Sequence, residues 1–400
     1  MLILSSLWAL SFTSSAQFLI VAPLLPSIAE QWGVADGDLG SLVSAFAWSV
    51  AVFSLLGGPL SDRYGRRAIL LGGAIALAIP LLATGFAWDF MSLYIARGLT
   101  GIGAGLLSGA TVAYVGDYFP REQQGLANGV VATGFAGGQV IGIPAGILLA
   151  GLDFRFPFVA FGVLVLVTAV LMFFALPEPD VELDRRFSVR ETISTYVSLL
   201  TSRATRFTSV AFFFMFSGIS LFIVYLPMEL ETSFGFSQMG VASLFLVGGF
   251  AGMFMGPFAG ALSDRVGRKV LVVGGGLAAA VLMVATPWVV FDWWMAYPMF
   301  FLVIAALSLR APPFQALVSY LVPARRRGRL LSLCFAVGRL GFGLGASASG
   351  LLYVRFGFST LAMVGGGLSL VMALIVAFLV PEIRDEFPED ATMSRQPVTD

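Results

Sequence analysis

Arg310 and Arg339 each interrupt a long apolar stretch of this 400-residue chain. A guanidinium stays protonated in a protein and presents five N–H donors in a rigid plane. The chemistry open to it is electrostatic, the holding of a carboxylate or a phosphate. Arg339 stands ~15 Å into its stretch at ~1.5 Å per residue, and no Asp or Glu occurs at comparable depth in any stretch. Arg310 directly precedes Ala311, Pro312 and Pro313, where a broken helix frees carbonyls to pair with it. An Arg at the centre of a bilayer costs at least about 2.5 kcal/mol on insertion scales and normally faces a cavity or a partner. Two readings stay open. The pair binds an anionic substrate, or carbonyls and water satisfy both arginines, with Arg339 reaching the membrane interface if its stretch begins later.

A denser set of charges occurs twice. Gly58, Asp62, Arg63, Gly65, Arg66 and Arg67 recur as Gly260, Asp264, Arg265, Gly267, Arg268 and Lys269, at an offset of 202 and with Leu-Ser before each acid. The glycines permit tight backbone geometry, and the charges form a compact fixed set for which Asp117 supplies a partner to Arg63 or Arg66. Cations alone would serve topology; the paired acids argue against topology as their whole role, since topology needs no acid. Arg97, Gly101, Gly105 and Gly109 recur every fourth residue and share one helix face. Arg97 binds within the protein or snorkels from ~9 Å inside Met91 to the interface. Gly134, Gly138, Gly142 and Gly146 make a second such stripe, kinked by Pro144 and suited to close helix packing. Gln17, Asn128, Gln139, Tyr225 and Gln315 are candidates to line a cavity or to bridge helices.

Other chemistry is excluded by composition. There is no His and one Cys, Cys334. That removes His-based metal sites, Ser-His and Cys-His catalysis, paired-cysteine redox chemistry and disulfides. No cofactor or metal is expected, and 23 basic against 23 acidic residues exclude a nucleic-acid binder relying on bulk positive charge.

The elements that must position these residues follow from hydropathy. The chain is 58% hydrophobic and 12% charged, with a mean hydropathy of +0.92; soluble proteins carry about 25% charged residues. An integral membrane protein results. Runs near 2–24, 39–60, 68–87, 91–118, 126–151, 157–177, 207–227, 238–261, 270–290, 295–320, 330–353 and 358–380 suit helical crossing, for which about 20 apolar residues are needed. The first run lacks a basic leader and a small-residue cleavage site, so it reads as a retained helix. With the N-terminus inside, 18 of the 23 basic residues fall in inner loops and tail, and only Arg155 and Arg355 in outer ones. Both ends are therefore expected in the cytoplasm, across a cytoplasmic membrane.

Further pairs extend the repeat: Pro120 with Gly125 matches Pro323 with Gly328, and Arg155 matches Arg355, each in the equivalent loop. Two parallel six-span halves, 1–177 and 207–380, are expected, joined by a linker over 178–206 and followed by a disordered tail, 381–400. Ser188 and Glu191 read as a capping box opening a short surface helix in the linker.

With these motifs the chain resembles the major facilitator superfamily over essentially its whole length. The resemblance implies an all-α fold of two six-helix bundles around a central pathway, a small-molecule substrate and alternating access. It implies that the 58–67 loop clamps the ends of neighbouring helices, and that the Arg97 motif is associated with proton coupling, although Thr100 stands where Gln is common. The stretch Gly138 to Gly146 resembles the fifth-span motif of the drug–proton antiporter and sugar-efflux branch, with Ile143 intervening between glycine and proline. Efflux is expected on that ground. Uptake or exchange of an organic anion through Arg310 and Arg339 is the alternative, and a sensor or scaffold on a carrier fold is the reading outside transport. An enzyme is not expected. Protons as coupling ion would have to use Asp117, Glu229 or Glu231 at the span ends. A monomer in the lipid bilayer completes the expectation.

Overall fold

The computed structural model describes residues 2–179 and 189–381. It is all-α, as lipid demands of a chain whose peptide groups must bond internally. Among the described residues, eleven helical units are long and apolar enough to cross a membrane. The last of them turns at Gly357 (φ 75°, ψ 177°) into two helices, so the polypeptide crosses twelve times.

In the first half, α1 (Leu2–Leu19) and α2 (Val21–Trp32) form one broken crossing, followed by α3 (Asp36–Tyr64), α4 (Arg66–Thr84) and α5 (Phe90–Tyr118). Pro23 cannot donate to the Leu19 carbonyl, which accounts for the interruption there. The fifth crossing comprises α6 (Arg121–Gly137), a π-helical turn (Gly138–Gly142) and α7 (Ile143–Ala150), and α8 (Phe156–Ala175) is the sixth. The kink expected at Pro144 takes the form of that π turn. Pro144 offers no N–H, and Ile143 N bonds back to the Gly138 carbonyl, five residues earlier.

Within the connection expected over 178–206, α9 (Val189–Leu199) is the short helix. Ser188, its expected cap, and the tail 382–400 lie outside the described residues. The second half comprises α10 (Arg203–Ile223) and α11 (Leu226–Phe234), broken at Tyr225, then α12 (Gln238–Val266), α13 (Arg268–Val289), α14 (Ala296–Ser319) and α15 (Ala324–Leu379). Start signals are local: Asp89 accepts from Ser92 N at 2.8 Å in a reciprocal capping box at α5, and Ser237 caps α12 through Gly240 N.

The glycine stripes position the helices. A Cβ on Gly134, Gly138, Gly142 or Gly146 would lie 2.3–2.8 Å from Trp8, Phe12, Ala16 and Ile20 respectively. Two rows with the same four-residue period therefore interlock, α1 against the fifth crossing. Gly101, Gly105 and Gly109 meet α3 in the same way, at Phe46, Phe53 and Gly58.

The expected loop 58–67 contracts to one residue. Helix α3 runs on through Tyr64 and α4 begins at Arg66, leaving Gly65 (φ 96°) between them; Gly267 (φ 102°) does the same in the second half. Only these two motif glycines need their conformation. Gly58 and Gly260 lie inside helices with nothing within 4 Å of a Cβ, which corrects the expectation that every glycine of the motif serves tight geometry. Gly65→Ala would force a left-handed φ on an L-residue and set its Cβ 2.7 Å from Glu178 Oε1. Thermal unfolding should show a loss of about 1–3 kcal/mol, whereas Gly58→Ala should be neutral or gain up to about 1 kcal/mol of helix propensity. Equal effects of the two substitutions would refute the assignment.

Candidate functional site

The short Gly65 and Gly267 turns collect the basic residues Arg66, Arg67, Arg268 and Lys269 on one membrane face, the arginine-rich face. Arg66 is the hub. Its Nε donates to Asp117 Oδ2 at 2.6 Å, its Nη1 donates to Ser61 Oγ at 2.6 Å, and it pairs with Asp62 one turn back. Of the two arginines that Asp117 was expected to partner, the structure brings Arg66 to it. Arg63 instead stacks over Tyr64, with 4.9 Å to the ring centroid. Arg67 donates to the Phe173 carbonyl at the end of α8 and, through its backbone N–H, to Glu178 at 3.4 Å. Glu178 thereby caps the positive end of α4. Nothing local in the sequence marks Glu178, 111 positions away.

The second half repeats the design with different chemistry. Lys269 Nζ donates to the Val380 carbonyl at 2.8 Å, as Arg67 does to Phe173. Arg268 meets Asp264 at 3.6 Å, but the position equivalent to Asp117 is Tyr320. Arg268 donates to its hydroxyl at 3.2 Å and lies 4.2 Å from its ring centroid. One half is held by an ion-pair network, the other by a single longer ion pair with a hydrogen bond and a cation–π contact to a neutral tyrosine. The repeat offset of 203 already carried this signal, since Pro120 matches Pro323. Arg265 has no ion pair or hydrogen bond among the described residues.

Between the faces, Arg97 and Arg310 are sealed inside their bundles at 1% and 0% exposure. Arg97 donates to Gln17 Oε1 at 3.2 Å and to the Gln17 carbonyl at 3.0 Å, beside the break between α1 and α2, with the Phe46 ring centroid 4.4 Å away. The snorkelling alternative for Arg97 is thus not what the structure shows. Gln17 is fully buried at that contact, its Nε2 without a partner among the described residues. Arg310 donates to Ser369 Oγ at 3.3 Å and to the Met215 carbonyl at 3.4 Å. Its guanidinium faces α10 and the final crossing, so it does not reach the space between the halves. Arg339 does: it stacks 3.6 Å from the ring centroid of Phe18, across the divide, with Phe216 at 5.9 Å. The structure separates two arginines that looked alike in sequence.

Tyr225 is buried in a seam, not a cavity. Its hydroxyl donates to the Asp36 carbonyl and accepts from Gly40 N at 3.1 Å, joining the break between α10 and α11 to the start of α3. The same seam holds Ser44, which donates to the Gly343 carbonyl at 2.6 Å and meets Ser347 Oγ at 2.7 Å. Backbones touch there: a Cβ on Gly40 would lie 1.9 Å from the Ala346 carbonyl oxygen, and one on Gly350 would lie 2.2 Å from that of Gly37. Phe18 meets Phe342 at 4.5 Å between ring centroids, and Val140 of the π turn meets Gly249. Gln139, on that π turn, is half-buried without a side-chain hydrogen bond among the described residues, and Asn128 and Gln315 are exposed toward the arginine-rich face.

These contacts are one-sided. Among the described residues, side-chain hydrogen bonds and ring contacts joining the bundles lie at mid-depth or toward the arginine-poor face. The exception comes from α9, where Tyr196 donates to the Leu55 carbonyl at 3.1 Å. Sequence reasoning missed Ser44, Gly343 and Ser347, because single small residues in apolar runs carry no signal without a partner.

The chain resembles known proteins along its whole length. It is 26% identical over 378 residues to the "Multidrug resistance protein MdtG" of Salmonella paratyphi C (strain RKS4594), covering 92% of each. It is 23% identical over 346 residues to the MFS-type transporter YceJ of Bacillus subtilis (strain 168), covering 86% of this chain and 88% of that one. A crystal structure of a D-xylose–proton symporter superposes with a TM-score of 0.78 at 17% identity, over 95% of this chain and 98% of that one. A bacterial homologue of the lysosomal transporter Spinster, in an inward-facing unoccupied conformation, superposes with a TM-score of 0.73 at 16% identity over 94% and 95%. The sequence profile of the Major Facilitator Superfamily matches residues 7–325 and, overlapping, 208–400. This multi-pass membrane protein belongs to the Major Facilitator Superfamily of transporters.

Proposed function

We propose that the protein exports a small molecule across the cytoplasmic membrane by alternating access, acting as a secondary carrier and not as an enzyme. The observation that carries this is the one-sided seam. Two pseudo-equivalent bundles pack backbone against backbone where Gly40 meets Ala346 and Gly350 meets Gly37, and, apart from the α9 strap, the side-chain hydrogen bonds and ring contacts that join them lie at mid-depth or toward the arginine-poor face. A pathway closed at one face and parted toward the other is one of the two states a rocking carrier needs. The excess of basic residues at the opposite face supports reading that face as the cytoplasmic one, with both termini inside. The cleft then takes its substrate from the cytoplasm. The multidrug resistance protein among the relatives favours export, and the small polar groups of the seam leave its opening inexpensive. Coupling to protons would run through acids at the helix ends, since no acid among the described residues lies at mid-depth.

Counterflow in proteoliposomes tests the reading. Purified protein should exchange a labelled solute against an internal excess of the same solute. In cells, energised expression should lower the accumulation of a solute that exchanges. Failure of every solute tried to exchange would sink the carrier reading, and accumulation that rises with expression would reverse the direction.

A further inference from the structure

We propose that Arg339 is the anchor for the negatively charged group of an amphiphilic organic anion, bound in the cleft between the halves against Phe18. The inference rests on the carrier reading and names its substrate class.

Three arginines lie deep in the membrane-spanning part, and two of them have hydrogen-bond partners, although Arg97 Nε is itself buried without one among the described residues. Arg97 has Gln17 and its carbonyl; Arg310 has Ser369 and the Met215 carbonyl. Arg339 has no hydrogen bond and no ion pair among the described residues, and its Nη1 is sealed from solvent without a partner. No described acid lies within ion-pair distance of it. Every described Asp and Glu lies in a loop or within about a turn of a helix end, whereas Arg339 is in the middle of the first arm of α15. An uncompensated cation at this depth is costly and calls for a partner.

The geometry says what kind of partner. The Phe18 ring, 3.6 Å from the guanidinium carbon, covers one face of the cation. A stacked ring leaves the N–H groups free, because they radiate in the guanidinium plane. A planar fork of donors matches the two oxygens of a carboxylate or the oxygens of a phosphonate. Unlike Arg97 and Arg310, Arg339 is a half-buried residue, with Nη1 sealed but the residue not closed off as a whole. Its surroundings are aromatic: Phe216 at 5.9 Å, Phe342 against Phe18, and Trp48 beside Gly343. The site therefore suits an oxyanion carried on an apolar body, and it disfavours a lipophilic cation, which would meet a like charge in a poorly screened cleft.

The test uses the full-length protein in nanodiscs and three solutes of one shape: 2-naphthoate, neutral 2-naphthamide and 2-naphthylmethylammonium. Calorimetric titration should show the naphthoate binding at least tenfold more tightly than either companion. The preference should collapse in Arg339→Gln and survive in part in Arg339→Lys, which retains the charge and controls for folding alongside a thermal unfolding curve. Equal binding of the three, a preference that persists in Arg339→Gln, no anion-selective binding at all, or a preference lost in Arg310→Met but kept in Arg339→Gln would each overturn the proposal. Counterflow keeps the two readings apart. Exchange of naphthamide without anion preference would leave the carrier standing and remove the anion, whereas absence of exchange of all three solutes bears on the carrier reading.

Discussion

Gly40→Val is expected to lower solute counterflow at least tenfold while leaving the protein folded. A Cβ at this position would lie 1.9 Å from the Ala346 carbonyl oxygen and 2.9 Å from its carbon. These are backbone atoms, so no side-chain rotation relieves the clash. Overpacking ordinarily costs about 1–3 kcal/mol, and a backbone obstacle belongs at the upper end. The strain falls on one state only, the one in which α3 and α15 touch at the arginine-poor face. A penalty of ~1.4 kcal/mol already shifts a two-state population tenfold, and a carrier unable to populate one state does not cycle. Gly37→Ala is the internal control. It lies one turn away on the same seam, but its Cβ would find its nearest atoms, Val354 Cγ2 and the Gly350 oxygen, at 3.9 and 4.0 Å. That variant should retain exchange within about twofold of the parent. In addition, Ser347→Cys should react faster with an impermeant maleimide from the arginine-poor face when Gly40→Val is present. If Gly40→Val exchanges solute like the parent, the seam is not a moving gate.

The second large effect concerns the two locks at the arginine-rich face, which the repeat makes look equivalent. Arg66→Gln should reduce exchange roughly five- to thirtyfold, and Arg268→Gln less than about threefold. Arg66 holds Asp62, Asp117 and Ser61 at once, and its side chain is 12% exposed. Asp117, at the end of α5, is 28% exposed. Removing the guanidinium leaves two carboxylates close together at helix C-termini, where the macrodipole already disfavours negative charge. Because Asp62 is half-exposed, solvent screens part of the effect, and about 1–2 kcal/mol is the reasonable scale. Arg268, by contrast, has Asp264 at 3.6 Å with that acid 69% exposed, plus a neutral tyrosine. A double-mutant cycle checks the assignment: Arg66→Gln with Asp117→Asn should be no worse than Arg66→Gln alone, since both remove one interaction. Equal sensitivity of the two halves would refute the asymmetry.

Much of this was legible in the sequence. Hydropathy marked the crossings, and the repeated Asp62/Asp264 motif paired the halves, because lipid leaves a chain few ways to satisfy its backbone. The four-residue glycine rows were readable as contact faces, since a helix puts every fourth residue on one side. Even the ends of crossings were less secure: α3 and α12 run some residues beyond the expected limits, to Tyr64 and Val266, because Ser, Asp and Arg are tolerated in a last helical turn once the chain has left the hydrocarbon.

What only the tertiary structure decided is which partner each of these groups meets. Arg97, Arg310 and Arg339 are alike in sequence, each an arginine in an apolar run. Packing sends the first to Gln17, the second to Ser369 and the Met215 carbonyl, and leaves the third over Phe18 without a hydrogen bond. Tyr225, read as a cavity residue, bonds the start of α3 some 185 residues away. The physical reason is the same in each case. Local sequence determines where a helix forms and which face is apolar, but a hydrogen bond or a backbone contact between distant segments depends on the rotation and depth of both helices. Those are set by the packing of the whole bundle.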